Sequence, residues 1–404
     1  MSKPSRFLRP VIVGFTLLSA ALSAPVLAAD KPTIQFTDVT ATNLPQGLNR
    51  RCMDVEAHDI DGDNDVDLIL AMEFARNILL INNGKGVFSR SNALPNNRRD
   101  SEDIAVADFD LDGLLDILVV SEDDEVNEFY LNQGKGAFKD ASYRIRFKGT
   151  SNAVVSADLN GDGASDVIIG NVGKMGVLIN DGKGDFINES KQRLPNKSYR
   201  VQDLALVDVD ADGDLDLLTG DEVQNRLFIN NGKGVFDDQT STRLPKFKGI
   251  TREVTSADID NDGDQDIYYA NVSRNPGNAP NRLLLNNGKG FFTEVSASHL
   301  PTDAKENNFT ARFVELNGDN AIDLIVPDAH INGSNNGIYR AYINSGDGHF
   351  TEVALSPSWP RGNGFDVAEA DFNGDGKTDL YLCNRARRNF TPANGGADAL
   401  LFGG

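Results

Sequence analysis

Apolar residues occur along this chain in short runs that recur with a regular order. A run of small and branched residues such as IAVAD leads into an acidic segment, and a denser run such as LILAM or VIIGN follows it. A third run ends in a glycine turn of the NNGKG type, and a fourth often closes with Leu-Pro. Short apolar runs bounded by turn residues are typical of strands. The pattern therefore predicts four short strands in each repeat.

The acidic segment occurs seven times, and its successive copies start 49, 50, 50, 50, 57 and 56 residues apart. Self-similarity at such a period indicates a repeat architecture. Four strands per repeat predict an all-β fold, a seven-bladed β-propeller with four-stranded blades. Small residues, such as Ala107 and Ala157, stand just before the acids, and they suit the narrow space near a propeller axis.

The two ends of the chain predict how the ring closes. The last repeat stops at ALLFGG, where a third strand ends, so its fourth strand is missing. The segment IQFTDVTATNLP at residues 34–45 matches fourth-strand segments such as FTEVSASHLP. We expect this N-terminal strand to complete the last blade, because closure leaves no raw sheet edge.

The acidic segments follow the pattern D-x-D-x-D-G-x-x-D, with Asn or Glu at some positions, and we number the positions 1 to 9. Carboxylates at alternate positions converge from one tight loop, position 7 offers a backbone carbonyl, and position 9 adds further oxygens. Six or seven oxygens are the shell that Ca²⁺ prefers, whereas zinc would call for Cys or His, and neither stands in the loops. The alternative is an acidic, solvated turn, which seven regular copies argue against. We therefore predict up to seven bound Ca²⁺ ions.

The predicted ligands are Asp59, Asp61, Asp63, Asp65 and Asp67; Asp108, Asp110, Asp112 and Asp116; Asp158, Asn160, Asp162 and Asp166; Asp208, Asp210, Asp212 and Asp216; Asp258, Asp260, Asp262 and Asp266; Glu315, Asn317, Asp319 and Asp323; and Asp371, Asn373, Asp375 and Asp379. The sixth loop should bind most weakly, because it has a longer first ligand in Glu315, an amide in Asn317 and Asn320 where glycine is usual.

Composition excludes one class of partner. The chain has 39 basic and 60 acidic residues and a formal charge of −21. Nucleic acid is not expected as a partner, because phosphate binding needs a surplus of Lys and Arg. The acidic balance agrees with a cation binder.

Residues 1–28 have the features of a signal peptide, and the propeller should occupy residues 29–404. Lys3, Arg6 and Arg9 precede the apolar run VIVGFTLLSAAL, and Val26 and Ala28 suit a cleavage site. An uncleaved anchor is the alternative, but the run is short for a span. No later segment reads as a membrane span. We expect a periplasmic or secreted protein, in which Cys52 and Cys383 form a disulfide.

The loops and the NNGKGxF turns resemble those of the FG-GAP/VCBS repeat family, whose relatives include the propellers of integrin α subunits. The resemblance covers nearly all of the expected mature chain. It implies a seven-bladed propeller with structural Ca²⁺ between the first and second strands of each blade. Known functions in the family vary and include adhesion, carbohydrate binding and, in a few members, polysaccharide cleavage.

The face opposite the calcium loops is where we expect a ligand. Its connections carry bases and aromatics, and the candidates are Arg98, Arg99, Lys246, Lys248 and Trp359, the last as a stacking platform. A solvated rim whose bases pair with nearby acids is the alternative. No catalytic constellation is visible, which favours a non-enzymatic binding or scaffold module for a protein or an acidic glycan. A polysaccharide-active enzyme, such as a lyase, is the other hypothesis.

Overall fold

The computed structural model describes residues 34–48, 51–122, 126–273, 280–301, 307–328, 337–353, 355, 359–385 and 397–404. The predicted signal peptide lies outside these residues. None of the helices in them is long and apolar enough to cross a bilayer.

The described part of the chain contains 28 strands, and each acidic segment joins the first two strands of its repeat. We number the repeats 1 to 7 by these segments. The strand before repeat 1 is β1 (Phe36–Asp38). Repeat 1 contains β2 (Cys52–His58), β3 (Asp67–Ala75), β4 (Ile78–Ile81) and β5 (Ser89–Arg90). Repeat 2 contains β6 (Arg99–Ala107), β7 (Asp116–Ser121), β8 (Glu128–Asn132) and β9 (Phe138–Asp140). Repeat 3 contains β10 (Thr150–Ala157), β11 (Asp166–Gly173), β12 (Gly176–Asn180) and β13 (Phe186–Asn188).

The later repeats have the same order of strands. Repeat 4 contains β14 (Tyr199–Val207), β15 (Asp216–Asp221), β16 (Arg226–Asn230) and β17 (Phe236–Asp238). Repeat 5 contains β18 (Ile250–Ala257), β19 (Asp266–Val272), β20 (Arg282–Leu285) and β21 (Thr293–Glu294). Repeat 6 contains β22 (Arg312–Val314), β23 (Asp323–Pro327), β24 (Tyr339–Asn344) and β25 (Phe350–Val353). Repeat 7 contains β26 (Gly364–Ala370), β27 (Asp379–Asn384) and β28 (Ala399–Gly403).

Short helical turns follow several fourth strands. They are the α-helices α1 (Thr40–Asn43), α2 (Ser190–Arg193), α3 (Thr240–Arg243) and α4 (Ser296–His299), and one 3₁₀ turn at Ser142–Arg144. The fold is thus all-β, built from four-stranded antiparallel arrays.

The strands of each repeat pair antiparallel in sequence order, and the N-terminal strand supplies the fourth strand of repeat 7. Phe36 of β1 pairs with Gly403 of β28, so that sheet has the order β1-β28-β27-β26. The second strands of repeats are buried along their whole length in most cases, which explains why the runs after the acids are the densest in apolar residues.

The first strands of successive repeats contact one another in chain order, and β26 contacts β2. One hydrophobic cluster accordingly joins repeat 7 to repeat 1, with Phe372 and Tyr381 packed among Leu68, Leu70 and Phe88. The predicted disulfide is present in this cluster. Cys52 and Cys383 are bonded, with their Cα atoms 5.4 Å apart.

A β-bulge interrupts the first strand of six repeats at the same place. The register shifts between Cys52 and Asp54 in repeat 1, and the corresponding shifts occur in repeats 2, 3, 4, 5 and 7. One residue in each of these strands therefore has no partner opposite, and bulges of this kind re-aim a side chain.

Candidate metal loops and the opposite face

The residue at position 1 organises each acidic loop by accepting backbone hydrogen bonds. Asp59 Oδ1 accepts from the N–H groups of Gly62 and Asp63 at 2.8 and 3.2 Å, and its Oδ2 accepts from Asn64 at 2.9 Å. A left-handed residue at position 6 permits this turn, and Asn64 takes that conformation with φ of 71°. In repeat 6 the longer Glu315 accepts only from Asn317 and Gly318, at 2.8 and 2.6 Å.

The aspartate at position 9 is buried and ties the loop to the third strand. In repeat 2, Asp116 Oδ2 accepts from the N–H of Phe109 at 3.0 Å, and Oδ1 accepts from Asn132 at 2.8 Å. All seven position-9 residues accept the equivalent pair of bonds, although Gly403 replaces the asparagine donor in repeat 7. Each carboxylate oxygen retains a lone pair for a further partner.

Position 3 divides the loops into two kinds. In repeats 1, 2, 4 and 5 it is an aspartate whose Oδ1 is buried without a hydrogen-bond partner among the described residues: Asp61, Asp110, Asp210 and Asp260. In repeats 3, 6 and 7 it is an asparagine whose amide donates to the aspartate at position 5, as Asn160 does to Asp162 at 2.9 Å. The first kind of loop has an oxygen that lacks a partner, and the second kind closes on itself.

The electrostatics follow from this packing. Burial raises the pKa of Asp67 to about 6 and that of Asp116 to about 7. Burial, followed by repulsion from Asp112 and Asp108, also raises the pKa of Asp110. In repeat 4 a basic side chain lies beside the loop, since Arg243 Nη1 is 3.0 Å from Asp210 Oδ2.

The residues fit a hard cation with oxygen ligands. In repeats 1, 2 and 4, carboxylate oxygens of positions 1, 3 and 9 lie within 4.8 Å of one another, and in repeat 5 those of positions 1, 3 and 5 do so. The unpartnered Oδ1 atoms stand where an ion would supply the missing contact. Asp65 differs from the other predicted ligands, because its carboxylate lies against Gly84 of the glycine turn. Position 7 is thus left to offer its backbone carbonyl.

Sequence reasoning missed the asparagine that begins each NNGKG-type turn. In repeat 3, Asn180 Nδ2 donates to the carbonyl of Ser165 in its own loop at 3.0 Å and to that of Phe109 in the preceding loop at 2.8 Å. The same pair of hydrogen bonds is made by Asn82, Asn132, Asn230, Asn286 and Asn344. Asn82 reaches Phe372 and so connects repeat 1 to repeat 7. Recurrence of Asn before the glycine was the signal.

The structure separates the five candidate residues of the opposite face. Arg98, Lys246 and Lys248 are exposed. Arg99 instead lies 3.8 Å from the buried Glu128, in an ion pair. The prediction for Trp359 is wrong. This residue is only 8% exposed and packs edge-on against Phe36, with the ring centres 5.4 Å apart, so it cannot serve as a stacking platform.

Two cavities lie at matching places in repeats 3 and 4, beside the outermost strands. The cavity of repeat 4, about 520 Å³, is lined in part by Arg226, Lys246 and Phe247, and the one of repeat 3, about 140 Å³, by Lys174 and Lys191. Lys197 lines both cavities, and we call the pair the rim cavities. Tyr199, in the wall of the smaller cavity, is 5% exposed, and its hydroxyl has no partner within the described residues.

A third cavity, of about 390 Å³, lies between the first strands and receives residues from all seven repeats. We call it the central cavity. Its lining includes nine carboxylic acids and three arginines: Asp54, Glu56, Glu73, Glu102, Asp103, Glu122, Asp203, Glu253 and Asp366, with Arg252, Arg312 and Arg385. The acids that follow the bulges also bind the next repeat, since Asp103 and Asp203 accept the N–H groups of Val154 and Val254 at 2.7 Å. Neither His nor Tyr occurs among the described residues of this lining.

Comparison with known proteins gives a family and a fold. A family model described as FG-GAP-like repeat matches residues 59–119, 108–169, 158–219, 208–269, 258–326 and 316–382. Each match runs from one acidic loop into the strand after the next loop, so the six matches include all seven loops. No curated protein matches the chain.

Three solved structures are similar in fold. A lectin of Agrocybe aegerita, described as recognising non-reducing terminal N-acetylglucosamine, is 18% identical with a TM-score of 0.51, over 83% of this chain and 86% of that one. BBS1N, in complex with ARL6DN, is 14% identical with a TM-score of 0.56, over 92% and 97%. An ancestral GH74 enzyme is 12% identical with a TM-score of 0.52, over 88% and 47%. At these identities the likeness shows the fold alone.

Proposed function

Because the chain belongs to the FG-GAP-like repeat family, we propose that it is an exported, calcium-stabilised, seven-bladed β-propeller that acts as a binding or scaffold module. The contact of β26 with β2 and the pairing of β1 with β28 support closure of the seven repeats into a ring. The apolar run after Lys3, Arg6 and Arg9 supports export to the periplasm or beyond, and the disulfide agrees with an oxidising compartment.

The single observation that carries the metal assignment is the recurrence of one unpartnered buried atom. Oδ1 of Asp61, Asp110, Asp210 and Asp260 lacks a partner in four independent copies of the loop. A buried acceptor left unpaired costs about 1–3 kcal/mol, so four copies favour a ligand at this place. Ca²⁺ is the cation that suits carboxylate and carbonyl oxygens in a flexible loop.

The rim cavities support an acidic glycan, or an acidic protein surface, as the partner. They gather Lys174, Lys191 and Lys246 on a chain whose net charge is −21, while Lys197 is paired with Asp238 of the same wall at 3.1 Å. The central cavity is unsuited to such a ligand, because acids outnumber arginines there nine to three. Charge therefore directs an anionic partner to the rim.

Affinity measured against salt tests this proposal. A glycan array on the calcium-loaded protein should give hits among uronate-bearing chains, and their affinity should fall as salt screens exposed charges beyond about 8 Å. Lys246→Ala with Lys248→Ala should weaken a hit while the melting curve is unchanged. Binding that ignores both salt and these substitutions would remove the acidic partner.

An enzyme acting on polysaccharide is the alternative. The likeness to a GH74 enzyme is one of fold, and the central cavity supplies carboxyl groups, the residue type that glycosidases use as acid and base. A turnover assay on every glycan hit separates the two functions, since a binding module leaves the glycan intact.

A further inference from the structure

The central cavity is long and narrow. In repeat 4 its wall runs from Gln202 at the bulge to Val207, the residue before the acidic loop. Five steps of about 3.3 Å along a strand give a depth of about 17 Å. A volume of about 390 Å³ over this depth leaves room for an extended chain.

The position that each bulge directs into this cavity varies from repeat to repeat. The bulged residues are Met53, Glu102, Asn152, Gln202, Arg252 and Phe365, and Phe309 stands at the same distance before the loop of repeat 6. All seven line the cavity. The acids and asparagines that build the repeats recur, whereas this position holds six residue types. The scaffold therefore does not fix the residue at this cavity-facing position, which leaves it available to a ligand.

The three arginines of the cavity already have partners. Arg385 forms an ion pair with Glu73, and its Nε lies 2.9 Å from Glu73 Oε2. Arg312 forms an ion pair with Glu369, in which Nε lies 2.6 Å from Oε2. Arg252 donates to Gln202 and stacks over Phe309, 5.1 Å from the ring centre.

Carboxyl groups nevertheless outnumber the arginines of this lining nine to three. Glu102 forms no hydrogen bond or ion pair with any described residue, and one of its oxygens lies within 4.8 Å of carboxylate oxygens of both Asp100 and Glu122. Deeper in the wall, Asp54 lies beside Asp366, and burial, followed by repulsion from Asp103 and Asp366, raises the pKa of Asp54. The ligand that complements such a lining is a cation.

The carboxylates stand at successive depths, and apolar residues that are only 3–5% exposed lie between them. Glu102 lies at the bulge, Asp54 and Asp103 are one residue deeper, and Glu56, whose Oε2 lies 2.9 Å from His58 Nε2, is two residues beyond that. Ile104, Val154 and Leu204 line the wall between these levels. A metal ion contacts one level only. A linear aliphatic polyamine places an ammonium group at each level and its methylene groups against the apolar side chains. We propose that the central cavity binds such a polyamine along its axis.

Calorimetric titration of the calcium-saturated protein with spermidine tests this proposal. We expect one molecule per chain, with affinity rising from butylamine to putrescine to spermidine as more levels are occupied. 1,8-Octanediol, which is linear but neutral, should not bind. Glu102→Gln should lower the affinity for spermidine at least tenfold, and Glu56→Gln should lower the affinity for spermidine more than the affinity for putrescine.

Asp237→Asn is the matched control, because it removes the same charge from an exposed position on the outermost strand of repeat 4. It should change the affinity less than twofold, and all three variants should melt like the parent in calcium. Equal losses in Glu102→Gln and Asp237→Asn would overturn the proposal, as would equal affinities for butylamine and spermidine. Displacement of spermidine by stoichiometric Mg²⁺ would assign the carboxylates to a metal instead.

Discussion

The acidic loops of repeats 2 and 3 differ by one atom in their third residue, and the difference changes how each loop is satisfied. Asn160 donates its amide to Asp162 and accepts the N–H of Asp162, each at 2.9 Å. Asp110 can only accept, and its buried Oδ1 has no partner. The position-3 side chain of repeat 3 is thus satisfied within its loop, whereas that of repeat 2 leaves an acceptor without a partner among the described residues.

Charge points the same way as hydrogen bonding. Positions 1, 3, 5 and 9 hold four carboxylates in repeat 2 and three in repeat 3, and ligand charge is one of the quantities that sets calcium affinity. We therefore expect two classes of site. Repeats 1, 2, 4 and 5 should bind calcium more tightly than repeats 3, 6 and 7. Repeat 6 should be the weakest of the second class, because Glu315 accepts two loop hydrogen bonds, against four at Asp158 and three at Asp371.

Removal of calcium should have the largest effect. A bound ion stabilises the folded state by RT ln(1 + [L]/Kd), about 2.7 kcal/mol per site at a hundredfold excess over Kd. Several sites acting together should make the melting temperature fall by many degrees in excess EGTA. The check is differential scanning calorimetry with and without added calcium; superimposable curves would remove the metal from the account.

pH should act strongly on the calcium-free protein. The pKa values of Asp67 and Asp116 are about 6 and about 7 in the folded chain, against 3.8 for an ordinary aspartate. A raised pKa means that each carboxyl holds its proton to a higher pH in the folded state than in the unfolded state. The contribution of the protonated carboxyl to folding stability is therefore full below about pH 4 and is lost as pH rises through 7. Urea unfolding in EGTA should thus show greater stability at pH 5.5 than at pH 8. Saturating calcium should reverse this order, since the ion binds the ionised form.

The inter-loop asparagine provides a test within one turn. Asn286 donates to Val209 and Gln265 at 2.8 and 3.2 Å, whereas its neighbour Asn287 accepts only exposed N–H groups of its own turn. Asn286→Ala should cost about 1–3 kcal/mol for each buried carbonyl left unpaired. Asn287→Ala should cost clearly less by urea unfolding, and equal costs would show that the link between loops contributes nothing.

Substitution at position 3 of the acidic loops should have the smallest effect on stability, and it tests the division of the loops into two kinds directly. Asp110→Asn should lower the calcium affinity of the repeat 2 site about tenfold, or about 1.4 kcal/mol. Asn160→Asp should raise the calcium affinity of the repeat 3 site by a similar factor. Calcium affinities from competition with a chromophoric chelator provide the measurement. If both substitutions act in the same direction, the third residue does not divide the loops.

The sequence predicted most of the scaffold because each signal was local and repeated. The four apolar runs predicted the strands, and the match of residues 34–45 to fourth-strand segments predicted the pairing of β1 with β28. The disulfide between Cys52 and Cys383 was expected from the signal peptide and the oxidising compartment that it implies, and the two residues are bonded.

Features that depend on neighbouring repeats were not predictable in the same way. Trp359 was taken as a stacking platform because aromatics are interleaved with the bases of these connections, but Phe36 from the other end of the chain packs against it. The bulge leaves no mark in the sequence, so nothing indicated that Glu102 and Arg252 enter one cavity. The position-3 aspartates were predicted as ligands, yet only the surrounding hydrogen bonds reveal that their Oδ1 atoms lack partners.

Bound calcium counted by equilibrium dialysis at rising free calcium, on the chelated full-length protein, tests the central claim most directly. The account predicts binding in two steps, with four ions held before the remaining three sites fill. No bound calcium, or seven sites filling with a single affinity, would contradict it.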